Sequence, residues 1–225
     1  MTLHAIVLAD GAVPSRASLD AAWPGWEAGA TLVIAADGGA RHATTLDLRL
    51  DRWVGDGDSI DPGDLAMLAA SGVRVDRVPR EKDASDTELA VLAAIEAGAD
   101  ELTILGGLGG ARVDHALTNV ALLEHEALAG RAARLYDENA ARIALLTGPG
   151  TAALAGRDDD LVTLIPVGGP AVGVTTRDLR YPLREETLEP GSSRGLSNVR
   201  TSQRAAVSLR AGRLLVIETP ATVRP

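Results

Sequence analysis

The chain is predicted to be α/β: an N-terminal open, mainly parallel α/β/α domain over residues 1–147, followed by a smaller antiparallel β-sandwich domain over residues 148–225. Three observations predict this. Short apolar runs alternate with helical segments through the first two-thirds of the sequence, a "TGPG" break follows near Thr147, and the remainder holds only short alternating stretches between Gly, Pro and Ser clusters. With 225 residues, 46% of them apolar and 24% charged, the chain is long enough for a substantial core and has globular composition.

Each element has its own signal. His4–Ala9, Thr31–Ala36, Arg52–Gly55, Val73–Val78 and Leu102–Leu105 are the apolar runs expected of strands buried on both faces. Asp61-Pro62 opens a helix with an N-cap and a proline at its first position, and Gly72 follows its end. Ser85 and Glu88 form a capping box ahead of a helix over Leu89–Ala97, ended by Gly98. A third helix is predicted over Ala116–Leu128. Beyond the break, Leu161–Val167, Ala171–Thr175, Ala205–Leu209 and Arg213–Glu218 read as strands, with no helix among them.

Charge narrows the function classes. A net charge of −9 and only 2% aromatic residues argue against a nucleic-acid surface, and no apolar run approaches a membrane span. No basic, then apolar, leader opens the chain, and it has no cysteine, so a cytoplasmic location is expected. Of its 22 basic residues, 21 are arginine and one, Lys82, is lysine. A lone lysine in an arginine-using chain suggests a position that wants a compact, flexible ammonium.

The acidic residues gather just past the carboxyl ends of the predicted strands, where open α/β sheets bind ligands. Asp37 follows the second strand in "AADGGAR", Asp56 and Asp58 follow the third in "GDGDSI", and Asp83 and Asp86 follow the fourth in "KDASD". Gly106, Gly107, Gly109 and Gly110 follow the fifth and lead into Arg112, Asp114 and His115. Carboxylates without His or Cys partners are hard oxygen donors suited to Mg²⁺. Glycine turns at Gly38-Gly39 and Gly109-Gly110 leave backbone N–H groups for anions, and Lys82 and Arg112 suit developing negative charge. Together they describe phosphoryl or pyrophosphoryl transfer. A calcium loop is set aside because "DGDS" lacks its distant Glu, and "GGLGGAR" departs from the dinucleotide fingerprint at Arg112.

In order and spacing, "AADGGAR", "GDGDSI", "KDASDTELA", "GGLGGARVDHALTN" and "SNV" resemble the thiamine pyrophosphokinases over nearly the whole chain. The resemblance implies transfer of pyrophosphate from ATP to the hydroxyl of thiamine, by a homodimer with active sites between subunits. It implies that Asp56, Asp58 and Asp83 hold Mg²⁺, so that the repulsion within "DGD" is relieved by the cation. Asp37, Gly38, Gly39, Ser59, Gly106, Gly107, Arg112 and His115 are then expected near ATP, with Lys82 and Arg112 on phosphate oxygens and Asp86 or Asp114 accepting the proton. Ser197 and Asn198 are expected to contact thiamine, with Tyr181 as a stacking surface. Val199 stands where an acidic residue often follows the Ser-Asn pair, and "ADG" ends the first strand in place of another small polar turn. The alternatives are pyrophosphorylation of another alcohol, such as a hydroxymethylpterin, a non-catalytic Mg-ATP sensor, and a phosphohydrolase.

Overall fold

The computed structural model describes residues 2–223, and the chain divides into two units, 1–139 and 140–225. In the first unit six strands, β1 (Leu3–Leu8), β2 (Ala30–Ala36), β3 (Arg52–Gly55), β4 (Arg74–Arg77), β5 (Ala99–Leu105) and β6 (Ala132–Tyr136), pair side by side in the order β6-β5-β1-β2-β3-β4. Every one of these pairings is parallel. The order reverses between β1 and β5, which makes their carboxyl ends the switch point where such sheets open a crevice.

Burial explains the apolar runs. The carboxyl-terminal four residues of β2 and of β5 are buried without interruption, as are the last five of β1. β4 differs: it is the sheet edge, half-exposed, and carries Arg74, Asp76 and Arg77 in place of a continuous apolar run. Charges of this kind discourage further strand pairing at an edge.

Among the described residues, five α-helices connect or follow the strands: α1 (Arg16–Ala22), α2 (Arg41–Thr45), α3 (Pro62–Ala70), α4 (Asp86–Glu96) and α5 (Val113–Ala121). The caps read from sequence form. Asp61 accepts the Gly63 N–H at 2.7 Å, and Ser85 accepts the Glu88 N–H at 3.1 Å. After the edge strand β4, α4 runs back across β3, β2 and β1 to β5. That crossover brings its N-terminus to the switch point.

In the second unit, β12 (Asn198–Val199), β9 (Leu161–Pro166), β14 (Arg213–Thr219) and β7 (Arg142–Thr147) form one antiparallel set. β11 (Glu186–Leu188), β10 (Ala171–Arg177), β13 (Ala206–Leu209) and β8 (Gly150–Ala153) form the other. Val162, Leu164, Leu214 and Val216 from the first set meet Ala171, Val174, Val207 and Leu209 from the second in one core cluster. Apart from Ala171 and Val174, which are three apart across an irregularity in β10, these positions fall at every other residue, the spacing of strands with one face inward, and each filled Leu or Val contributes about 1.5–3 kcal/mol.

Several expectations shift. The first unit ends at Asn139 and not at Thr147, because β7 pairs along its whole length with β14 and so belongs to the sandwich. The helix expected over Ala116–Leu128 starts earlier, at Val113, and breaks into two 3₁₀ turns at Leu122–Glu124 and Glu126–Leu128. Helix α1 and strands β6, β7, β8, β11 and β12 were not foreseen. No helix among the described residues is long and apolar enough to cross a membrane.

Candidate active site

The loops after β1, β2, β3 and β5 and the start of α4 enclose a cavity of about 430 Å³. Asp10 and Gly11 follow β1, Asp37 follows β2, and Asp56, Asp58 and Ser59 follow β3. Asp86 and Thr87 come from the first turn of α4, and Gly106, Gly107, Gly109 and Gly110 follow β5, with Arg112, His115 and Asn119 beyond. Much of the rim read from sequence lines this one cavity, but Lys82, Asp83 and Asp114 are not in its lining.

Close approach of backbone explains its glycines. Gly106 has φ +70°, and a Cβ there would strike the Ala9 carbonyl at the end of β1. Gly38 lies against the Asp10 carboxylate in the same way. Gly38 and Gly39 are buried in a 3₁₀ turn (Asp37–Ala40) packed on β1 and do not line the cavity, so their part is to let that turn approach the strand.

Carboxylate oxygens of Asp37, Asp56 and Asp58 lie within 4.8 Å of one another. This is not the triplet expected: Asp83 is exposed, lies outside that group and does not line the cavity. Asp37 takes part instead, and its state is unlike that of its neighbours. It is 4% exposed, with a left-handed backbone at φ 44°. Trp53 Nε1 donates to its backbone carbonyl at 2.9 Å, and the Ser59 N–H donates to its Oδ2 at 3.1 Å. Its Oδ1 is buried without a hydrogen-bond partner. Burial pushes its carboxyl up to about 6, with Asp86, Asp56 and Asp58 pushing the same way against the Ser59 hydrogen bond.

Asp56 and Asp58 are better satisfied. Asp56 accepts the Asp58 N–H at 3.1 Å and the Lys82 ammonium at 2.7 Å, and the lysine holds its carboxyl below the ordinary value. Asp58 accepts from Ser59 Oγ and Arg80, both at 2.9 Å. Cations already pair with the two aspartates of "DGD", whereas Asp37 is raised chiefly by burial, with Asp86 the first of the charges acting on it. Asp86 lies 3.1 Å from Lys82, and its carboxyl is raised chiefly by burial. Asp114, outside the cavity lining, forms an exposed pair with Arg112 at 2.5 Å that holds its carboxyl well below the usual range.

These donors fit a hard divalent cation. They are carboxylate oxygens only, clustered, with one buried oxygen lacking any partner. Sequence reasoning missed two supports. Asn119, inside the quoted "HALTN", donates to the Gly107 carbonyl at 2.8 Å and so anchors the glycine loop to α5. Asp10, noted only as an unusual strand ending, is clamped by Arg41, which also reaches the Gly38 carbonyl at 2.9 Å.

The expected thiamine residues all lie in the second unit. The Asn198 side chain is buried and spent on backbone: its Nδ2 donates to the Tyr181 carbonyl at 2.7 Å, and its Oδ1 accepts from the Tyr181 and Val199 N–H groups. Ser197 is exposed, in a left-handed turn pinned by its N–H to Thr163 Oγ1 at 3.0 Å, and the Tyr181 ring is largely exposed.

Residues 26–133 match the family model described as thiamin pyrophosphokinase, catalytic domain, and residues 155–214 match that of its vitamin B1 binding domain. The chain belongs to the thiamin pyrophosphokinase family. Family membership makes it a transferase of the diphosphokinase type. A solved thiamine pyrophosphokinase from Bacillus subtilis is similar at 26% identity, covering 97% of this chain and 99% of that one, with a TM-score of 0.79. A thiamin pyrophosphokinase family protein from Enterococcus faecalis is similar at 28% identity, with the same coverage and TM-score. The Candida albicans thiamin pyrophosphokinase, at 16% identity, 96% of this chain and 90% of that one, shares the fold with a TM-score of 0.75. A search of curated protein sequences found no match.

Proposed function

We propose that the chain transfers the diphosphoryl group of ATP to the hydroxyl of thiamine, with Mg²⁺ held by Asp37, Asp56 and Asp58. The observation that carries this reading is the convergence of three carboxylates, one of them with a buried and unpartnered oxygen, at the switch point of a parallel sheet beside a glycine-rich loop. A cation held there would supply positive charge to the phosphate oxygens.

The remaining work falls to side chains and backbone. The glycine loop after β5, anchored by Asn119, presents N–H groups to the phosphates. Arg112 lines the cavity and neutralises charge at its mouth, and Lys82, held against the cavity's Asp56 and Asp86, adds a second cation. The thiamine hydroxyl oxygen attacks the β-phosphorus, the α–β bridging bond breaks, and AMP departs. Asp86 takes the hydroxyl proton: it lines the cavity and its carboxyl is raised, whereas Asp114 is exposed and held low by Arg112. Such a loose transition state asks more of alignment than of base strength.

Thiamine is recognised by the exposed Tyr181 ring and by Ser197, while Asn198 fixes the backbone that presents them. A tyrosine face suits the cationic thiazolium. The enzyme works as a homodimer with shared sites: Val113 and Leu117 stand exposed one turn apart on α5, beside the cavity's Arg112 and His115, and a second copy would cover them. Phosphorus NMR of the protein with Mg-ATP and thiamine tests the proposal. AMP and thiamine diphosphate are expected only when all components are present; ADP, free phosphate or AMP without thiamine would overturn it.

A further inference from the structure

Lys82, the single lysine of the chain, sits between two carboxylates of the cavity. Its Nζ lies 2.7 Å from Asp56 Oδ2 and 3.1 Å from Asp86 Oδ1, with the side chain only 15% exposed. Asp56 Oδ1 accepts the Asp58 N–H, so each oxygen of Asp56 already has a donor. Asp58 is similarly engaged by Arg80, but that arginine is 78% exposed and its hold is screened by solvent. Of the oxygens in the carboxylate group, the one with nothing to give up is Asp37 Oδ1.

We infer that Lys82 is an internal counter-cation. It holds Asp56 and Asp86 before a divalent cation arrives, competes with that cation for Asp56, and swings to the nucleotide's phosphates once the cation takes its place. The inference rests on the cation reading given above and adds a gate to it. A monovalent charge facing an incoming dication across a shared carboxylate disfavours binding of the metal alone. A triphosphate removes the penalty by offering the ammonium another anion, so metal and nucleotide bind better together than either does singly.

The choice of lysine follows from the same task. An ammonium is a compact charge on a flexible stem and can change partners, whereas a guanidinium fork locks bidentately onto a carboxylate. That accounts for one lysine in a chain that places arginine at every other basic position.

Mn²⁺ binding to the full chain, read from the free-ion electron paramagnetic resonance signal, tests this without turnover. Lys82→Met and Lys82→Gln are compared with the parent, each checked for an unchanged circular dichroism spectrum. Without nucleotide, both variants are expected to bind Mn²⁺ about 10-fold more tightly than the parent, a change of about 1.4 kcal/mol. A non-hydrolysable ATP analogue is expected to tighten Mn²⁺ binding more in the parent than in either variant. Equal or weaker Mn²⁺ binding by the variants, with the parent binding measurably, would overturn the gate and leave the cation site standing. Absence of Mn²⁺ binding in all three proteins would overturn the cation site and the gate together.

Discussion

Two buried carboxylates, Asp37 in the first unit and Glu218 in the second, are 4% and 2% exposed, yet their surroundings are opposite. Glu218 accepts from Arg142 at 2.5 Å and from the Ala155 and Gly156 N–H groups at 2.7 and 2.9 Å, with Arg200 within 4.0 Å. Asp37 has one N–H donor, an oxygen with none, and three aspartates nearby. Burial alone therefore says little. A buried charge whose partners are complete holds a fold together, and one whose partners are missing is poised for something the chain does not itself supply.

The largest expected effect that sharpens this contrast is on turnover. Asp56→Asn is expected to lower the rate of AMP formation by about 10²–10³ or more, the scale of losing a charge-stabilising group. It should also cost some stability, because Lys82 loses its nearer partner. A turnover within a few-fold of the parent in the phosphorus NMR assay would break the functional half of the comparison.

Next comes Glu218→Ala. Removing it strands Arg142 and two backbone N–H groups, and the expected loss is about 3–5 kcal/mol in denaturant unfolding followed by circular dichroism. A change under about 1 kcal/mol would place Glu218 among weak surface pairs. Smaller still is Asn198→Ala, which leaves the Tyr181 N–H and carbonyl without their partner and is expected to destabilise by about 1–3 kcal/mol. Its KM for thiamine should rise with little change in that for ATP; an unchanged thiamine KM would remove Asn198 from the thiamine side.

Legibility followed the range of the physics. Helices α3 and α4 could be read because Asp61-Pro62 and Ser85–Glu88 cap within one turn, and β1, β2 and β5 because continuous apolar runs record burial on both faces. Residues 142–147 fell within the first predicted domain and were not read as a strand, because nothing in "RIALLT" names its partner, β14, some seventy residues on. Similarly, the convergence of Asp37, Asp56 and Asp58 could be expected from their places after strands, but the identity of the strained member could not. Lys82 reaches Asp56 across 26 residues and Ser59 reaches Asp37 across 22, and those long-range contacts decide which aspartate is relieved. Asp83, adjacent to Lys82 in sequence, is exposed, whereas the lysine is held between Asp56 and Asp86.

The unfolding free energy of Asp37→Asn against the parent, in chelator and across pH, tests the central contrast most directly. Asparagine tolerates the left-handed backbone of Asp37 and can still accept the Ser59 N–H. With a folded value near 6 against an ordinary 3.8, Asp37 binds more protons when folded, so its ionisation removes stability as pH rises from about 4 to about 6. The variant is predicted to match the parent below pH 4 and to exceed it by about 2–3 kcal/mol at pH 7, read by tryptophan fluorescence of the first unit. A variant less stable than the parent at pH 7, or a difference flat across that range, would contradict the account.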